Sequence, residues 1–396
     1  MADPATHQTT PSASPPPLDE ADVPPDARAV LEIDLDALRA NWAKLNEAAG
    51  DAECAGVVKA DAYGLGLVEI AGALAREGCQ TFFVATLHEG RRLRAVAPSA
   101  TIYILDGLLR GAEAHYAGFD LRPVLSSLAE IHDWAAFCKA ENHKRPAAIH
   151  VDTGMNRLGL PGHELTALAN DPAHPLDHFS LALVMSHLLN ADVPADPHNK
   201  QQLDAFEKAR ADLPPAPASL ANSGGTFLGP AYHFDLVRPG IALYGGRAFE
   251  GAPNPMQSVV KLKARILQVR TVYPGETVGY GATYEAKAPT RVATIACGYA
   301  DGFLRALSGS TTNPGPIGYI ADFPVRIIGR VSMDLITLDV TNVPESLVHR
   351  GAWVEMMGAR VTVDDLTDRA GTIGYELLSR LSNRVHRIYT EHPQRA

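Results

Sequence analysis

The sequence predicts an α/β plus β protein: an N-terminal (β/α)8, TIM-like barrel followed by a C-terminal, mostly antiparallel β domain. Three observations carry that reading. Short apolar runs alternate with helical stretches through the first part of the chain, which is the pattern of a parallel sheet with helices outside it. The rhythm then breaks at RAFEGAPNPMQ, Arg247 to Gln257, a proline- and glycine-containing linker. Beyond it lie period-two stretches dominated by Val, Ile and Thr, the mark of half-buried antiparallel strands.

The elements follow in order. The opening MADPATHQTTPSASPPPLDEADVPPDAR is rich in Pro, Ala, Ser and Thr. It lacks the basic start and apolar core of a secretory signal, so residues 1–26 are expected to form a disordered tail. Residues 27–250 make the expected barrel and 251–396 the β domain. A strand near Val30 to Ile33 stands first, free to pair also with the second domain. Leu35, Leu38, Trp42 and Leu45 then fall on one helical stripe. The strand Ala55 to Val58 leads to a helix through Val68 to Arg76, and TFFVAT leads to LHEGRRLRAVA. ATIYIL, AAIHVD, FSLALVMSH, ASLAN and DLVRPG read as further strand ends, and about eight such strands close a barrel. After the linker come VVKLKARILQVRTV, RVATIAC, PVRIIGRVSMDLITLDV and WVEMMG, with turns such as YPGE. TIGYELLSRLSNRVHRIY adds a helix and a final strand.

Composition narrows the function. The 396 residues are 46% hydrophobic and 20% charged, an ordinary globular balance. A net charge of -10 argues against nucleic acid, whose phosphates need a basic face. No run approaches the roughly 20 apolar residues of a membrane span. Cys54, Cys79, Cys138 and Cys297 are far apart and in no metal-ligand spacing, so they read as reduced thiols of a cytoplasmic protein, with no metal.

VVKADAYGLG, Val57 to Gly66, carries the chemistry. A lysine at the C-terminal end of a barrel strand sits on the face where such barrels place active sites. Partial burial makes its amine nucleophilic, and a Schiff base is the common use. Alone, Lys59 fits a solvated lysine after an edge strand equally well. LANSGG (Leu220 to Gly225) and VRPGIALYGG (Val237 to Gly246) change the balance. They fall near strands seven and eight, whose loops often bind phosphate. A lysine for carbonyl chemistry beside a phosphate cradle points to pyridoxal 5'-phosphate.

At this point the chain resembles the alanine racemases. The motifs are KADAYGLG (59–66), VDTGMNRLG (151–159), Ser186-His187, VRPGIALYG (237–245), GYGATY (279–284), GYADG (298–302), RVSMD (330–334) and TIGYE (372–376). The family's order is kept, and the motifs span everything after the tail. The resemblance implies a barrel holding pyridoxal phosphate on Lys59, a C-terminal β domain, and a head-to-tail homodimer in which each β domain completes the partner's site. Tyr63, Ser223, Gly240, Ile241 and Tyr375 match phosphate-binding positions, and Arg238 the arginine facing the pyridine nitrogen.

The implied reaction interconverts L- and D-alanine with two bases on two faces: Lys59 for the D-enantiomer and Tyr280, from the partner's β domain, for the L-enantiomer. His187 matches the histidine linking that tyrosine to Arg238. Arg157 matches the contact to the substrate carboxylate, joined by the partner's Met333 backbone. Tyr299 and Tyr375 match the inner gate of the access channel, and Arg305, Arg330, Asp192 and Ile373 its outer layer. The implied role is supply of D-alanine for cell-wall peptidoglycan.

The alternative is a racemase of another or a broader set of amino acids (lysine, serine, arginine) on the same scaffold. A single-barrel cofactor-binding protein would lack the β domain and Tyr280. A related-fold decarboxylase would carry an acid in place of Arg238. Two positions depart from the pattern. His150 stands where many relatives carry a carbamylated lysine bracing the arginine at 157, so an anion or a nearby carboxylate is expected to pair with Arg157. Leu65 stands where histidine is common.

Overall fold

A computed structural model describes residues 23–392. Most of the expected tail, residues 1–22, lies outside the described residues. Residues 23–26 were assigned to it but belong to the folded protein: Val23 is buried, and Ala27 N–H donates to the Pro24 carbonyl at 2.9 Å, closing a turn. A single valine among prolines gives no periodicity to read.

The barrel begins with parallel strands in the order Gly56–Val57, Thr81–Val84, Thr101–Ile104, Arg122–Leu125, Pro146–His150, Ser180–Met185 and Ala218–Ser219. The ring is completed by Leu236–Val237, which pairs in parallel with Glu53–Cys54, just ahead of Gly56–Val57. The N–H groups of Asp235 and Arg238 donate to Ala218 and Ala221 carbonyls at 3.0 and 2.9 Å, so the ring closes on both sides of this strand. Helices pack outside. In Leu35–Ala49 the stripe Leu35, Leu38, Trp42 and Leu45 is buried, and Asp34 caps the N-terminus by accepting the N–H groups of Asp36 and Ala37. Thr86 and Glu89 form a capping box on Leu87–Val96.

Two strands change the count around the ring from the one read in the sequence, which left the first strand free to pair with the second domain. Ala29–Asp34 is outside the ring. It lies in the second domain's sheet, antiparallel to Val260–Val272 and parallel to His386–Thr390. Arg122–Leu125 is inside the ring and was not foreseen, because Pro123 lacks an N–H and argues against a central strand. The differences offset each other, so ASLAN and DLVRPG do lead into the loops of the seventh and eighth barrel strands.

The second domain is an eight-stranded sheet, in which the 13-residue strand Val260–Val272 also pairs with Thr290–Ile295 and rolls six strands into a small barrel. Helices Val363–Ala370 and Gly374–Ser379 pack on each other; the first touches the turn Arg305–Leu307 and the second reaches Lys59–Tyr63 of the first domain. All four cysteines are buried and unpaired. Among the described residues no helix is long and apolar enough to cross a membrane, and no cluster could hold a metal ion.

Candidate active site

Lys59 leaves the first barrel strand at its C-terminal end, and the chain then turns the wrong way. Ala60, Asp61, Ala62 and Tyr63 have φ of 53°, 54°, 54° and 56°. Left-handed backbone costs an L-residue on the order of 1–2 kcal/mol each, so this turn persists only because its surroundings fix it. The Glu89 carboxylate, itself buried, accepts the Asp61 N–H at 3.1 Å and those of Ala85 and Thr86 at 3.0 and 3.2 Å. Asp61 accepts Leu67 N–H at 3.2 Å and pairs with Arg92 at 3.0 Å. The glycines of KADAYGLG have spatial reasons. A Cβ on Gly64 would lie 2.6 Å from the Leu378 carbonyl oxygen, and one on Gly66 would overlap the Tyr389 hydroxyl.

The lysine opens on a cavity of about 210 Å³ that gathers Lys59, Tyr63, Arg157, His187, Ser223, Arg238, Gly240, Ile241 and Tyr375. Its far end suits an oxyanion. The Ser223 hydroxyl accepts Gly240 N–H at 2.8 Å and Ala242 N–H at 3.3 Å. The Tyr63 hydroxyl comes so near Gly240 that a Cβ there would overlap it. Tyr63 packs in a tilted arrangement on Tyr244, ring centres 4.6 Å apart, and lies 5.8 Å from Tyr375.

Positive charge fills this cavity. Lys59, Arg157 and Arg238 line it, and among the described residues no carboxylate does. Arg238 is 4% exposed and donates only to neutral oxygens: the Ser219 hydroxyl and the Ser186 and Leu220 carbonyls. Burial pulls it down to about 9, which still leaves a cation at neutral pH. Burial, and then Arg157, also lower Lys59 below the usual lysine range. His150 is pushed down to about 4 by burial and by Arg238, and His187 well below its ordinary value by the same two causes. Both histidines are therefore neutral imidazoles at pH 7.

Arg157 is exposed, and no carboxylate lies within salt-bridge distance of it among the described residues. Asp192 and Ile373 join Arg157, His187 and Tyr375 around an adjoining cavity of about 390 Å³. Tyr280, Tyr299, Arg305, Arg330 and Met333 are not brought to Lys59. They stand on the second domain, all exposed, with Tyr280 at 73%. Tyr280 and Arg330 line a separate groove there. Tyr299 and Met333 are neighbours: Tyr299 N–H donates to Ser332 O and Ala300 N–H to Met333 O, both at 3.0 Å.

Residues 33–248 match the family described as alanine racemase, N-terminal domain, and residues 259–389 the alanine racemase C-terminal domain. The chain belongs to the alanine racemase family. A Mesorhizobium japonicum protein named a catabolic alanine racemase is 48% identical over 92% of this chain and 93% of its own. One from Agrobacterium fabrum named a biosynthetic alanine racemase is 44% identical over 94% and 96%. The crystal structure of the Bartonella henselae alanine racemase, with covalently bound pyridoxal phosphate, superposes with a TM-score of 0.86 at 41% identity, covering 92% of this chain and all of that one.

Family motifs left several cavity residues unnamed. Val57, Phe83, Leu105 and Asn222 also line it. Phe83 pairs in register with Val57, and the Arg238 guanidinium sits 5.8 Å from its ring centre. Their common signal is position: each lies within three residues of the C-terminal end of a barrel strand. Asn222 holds the loop shape, its side-chain oxygen accepting Gly225 N–H at 2.9 Å.

Proposed function

We propose that this protein interconverts L-alanine and D-alanine, using pyridoxal 5'-phosphate attached to Lys59 and a second base, Tyr280, brought by a partner subunit. The observation that carries the reading is the cavity itself: an amine with a lowered pKa, two further cations and no lining carboxylate. Such a site calls for a doubly anionic occupant, and a phosphorylated cofactor with an amino-acid carboxylate fits. Tyr63, Ser223, Gly240, Ile241 and Tyr375 would hold the phosphate. When bound, the cofactor supplies the electron sink that loosens the α-hydrogen.

The chain's own residues set the rest. With the cofactor bound, the Arg238 cation would lie beside the ring nitrogen and keep it unprotonated. Arg157 binds the substrate carboxylate, with the Met333 backbone of the partner subunit beside it. Lys59 takes or returns the proton on one face of the α-carbon and the partner's Tyr280 on the other, since a single base mostly returns what it took. His187 links that phenol to Arg238. Tyr299 of the partner subunit and Tyr375 crowd the reaction centre to a methyl side chain, while Asp192, Ile373 and the partner's Arg305 and Arg330 line the approach. The exposure of Tyr280, away from its own chain's Lys59 cavity, supports a homodimer with shared sites. The product's use is peptidoglycan synthesis in the cytoplasm.

The test is a chiral product assay on purified protein over a panel of L-amino acids. Alanine is expected to turn over fastest. Much faster turnover of lysine, serine or arginine would overturn the substrate assignment.

A further inference from the structure

The left-handed turn behind Lys59 is fastened from the second domain as well as from the barrel. Arg387, on the final strand His386–Thr390, donates Nε and Nη2 to the Gly64 carbonyl at 3.1 and 2.6 Å. Its remaining donors reach the Ser382 and Val385 carbonyls (Nη1, 3.2 and 3.3 Å) and the Leu381 carbonyl (Nη2, 3.0 Å). Two residues on, the Tyr389 hydroxyl donates to the Leu65 carbonyl at 2.8 Å. Arg387 is partly buried, and among the described residues no carboxylate forms an ion pair with it. Its whole donor fork is spent on carbonyl oxygens, joining residue 64 to 381–385.

Within the turn, Gly64 N–H donates to Ala60 O at 2.8 Å and Gly66 N–H to Asp61 O at 2.9 Å. Gly64 is therefore the point where the strained segment meets an outside anchor. Release of the anchor leaves Glu89, Asp61, the Ala62 N–H bond to Val58 O and the packed Tyr63 ring to hold Ala60 to Tyr63 in strained backbone, and any relaxation there swings the residue just before them, Lys59.

We propose that Arg387 is a positioning residue for Lys59: docking of the last strand onto Gly64 locks the left-handed turn that aims the amine into the cavity. The second domain thereby controls the cofactor lysine of its own chain. This rests on the reading of Lys59 as the cofactor lysine.

The test uses holoenzyme of wild type, Arg387→Ala, Arg387→Lys and Tyr389→Phe. Hydrogen exchange of amides 61–67 is read by peptide mass spectrometry, and cofactor loss to added hydroxylamine by absorbance. Losing a hydrogen bond to a charged donor should speed exchange in this segment by about tenfold or more in Arg387→Ala, with a comparable gain in the rate of cofactor loss. kcat should fall while the KM for alanine stays near wild type. Arg387→Lys should resemble the alanine variant, since one ammonium cannot span Gly64 and three other carbonyls. Added guanidinium should slow exchange again in Arg387→Ala only.

Wild-type exchange and cofactor retention in folded Arg387→Ala would overturn the proposal. If that variant does not fold, Tyr389→Phe carries the same expectation for residues 64–67, and an unchanged exchange pattern there overturns it. Failure of the underlying reading looks different: wild-type protein reduced with borohydride would carry no label on Lys59.

Discussion

Mixing two inactive variants of this protein should restore activity. Lys59 faces a cavity that Tyr280 of the same chain does not line, while Tyr280 stands 73% exposed on the other domain. If each site takes its lysine from one chain and its tyrosine from the other, a Lys59→Ala homodimer and a Tyr280→Phe homodimer both lack a base at every site. A mixed dimer has one site with both defects and one with neither. Random exchange makes about half the dimers mixed, so about a quarter of all sites are intact. Loss of a general acid–base group costs about 10²–10⁴-fold, so this recovery should stand tens- to thousands-fold above either parent. Differently tagged chains allow the mixed dimer to be isolated by two affinity steps, and its activity per dimer should be about half that of wild type. Mixed dimers no more active than their parents would place Lys59 and Tyr280 in one chain's site and refute the shared arrangement.

Two further outcomes are expected. Lys59→Ala should lose the protein-bound visible absorbance and all racemisation, and borohydride reduction with peptide mapping of wild type should label Lys59 alone; a label on another lysine would reject the assignment. His150 should make the fold acid-sensitive. Its folded value is about 4 against an unfolded value near 6.5, so the unfolded chain binds the extra proton between those limits, and stability is lost as pH falls through that window. The loss should be on the order of 2 kcal/mol at pH 4.5. His150→Asn should lack it, read as a smaller drop in urea midpoint between pH 7 and pH 4.5 than wild type shows.

Much of the site was legible because its residues sit at strand ends, which sequence rhythm locates. Lys59, Ser223 and Arg238 each follow a short apolar run, and the resemblance supplied their companions. Other features depend on tertiary geometry that no local pattern carries. Glu89 reads as a capping residue of its own helix, and it is one, yet its second oxygen holds Asp61. Arg387 reads as an ordinary charged position of an edge strand. Phe83 lies in a wholly buried run, TFFV, where nothing distinguishes the face turned to the cavity.

The place of Ala29–Asp34 bears on how the chain is made. This segment leaves the ribosome well ahead of its neighbours in the sheet, Val260–Val272 and His386–Thr390. Neither exists until the whole intervening barrel has been synthesised. Contacts so distant along the chain are slow to form, and an unpaired apolar segment invites association with other nascent chains. The β domain is not a module that can be cut off at the linker: without the N-terminal segment its sheet loses an interior member, and the strand bearing Arg387 loses its pairing partner. Severing the chain between the two domains would leave two incomplete fragments, and co-expression of both halves is the condition under which either should become soluble.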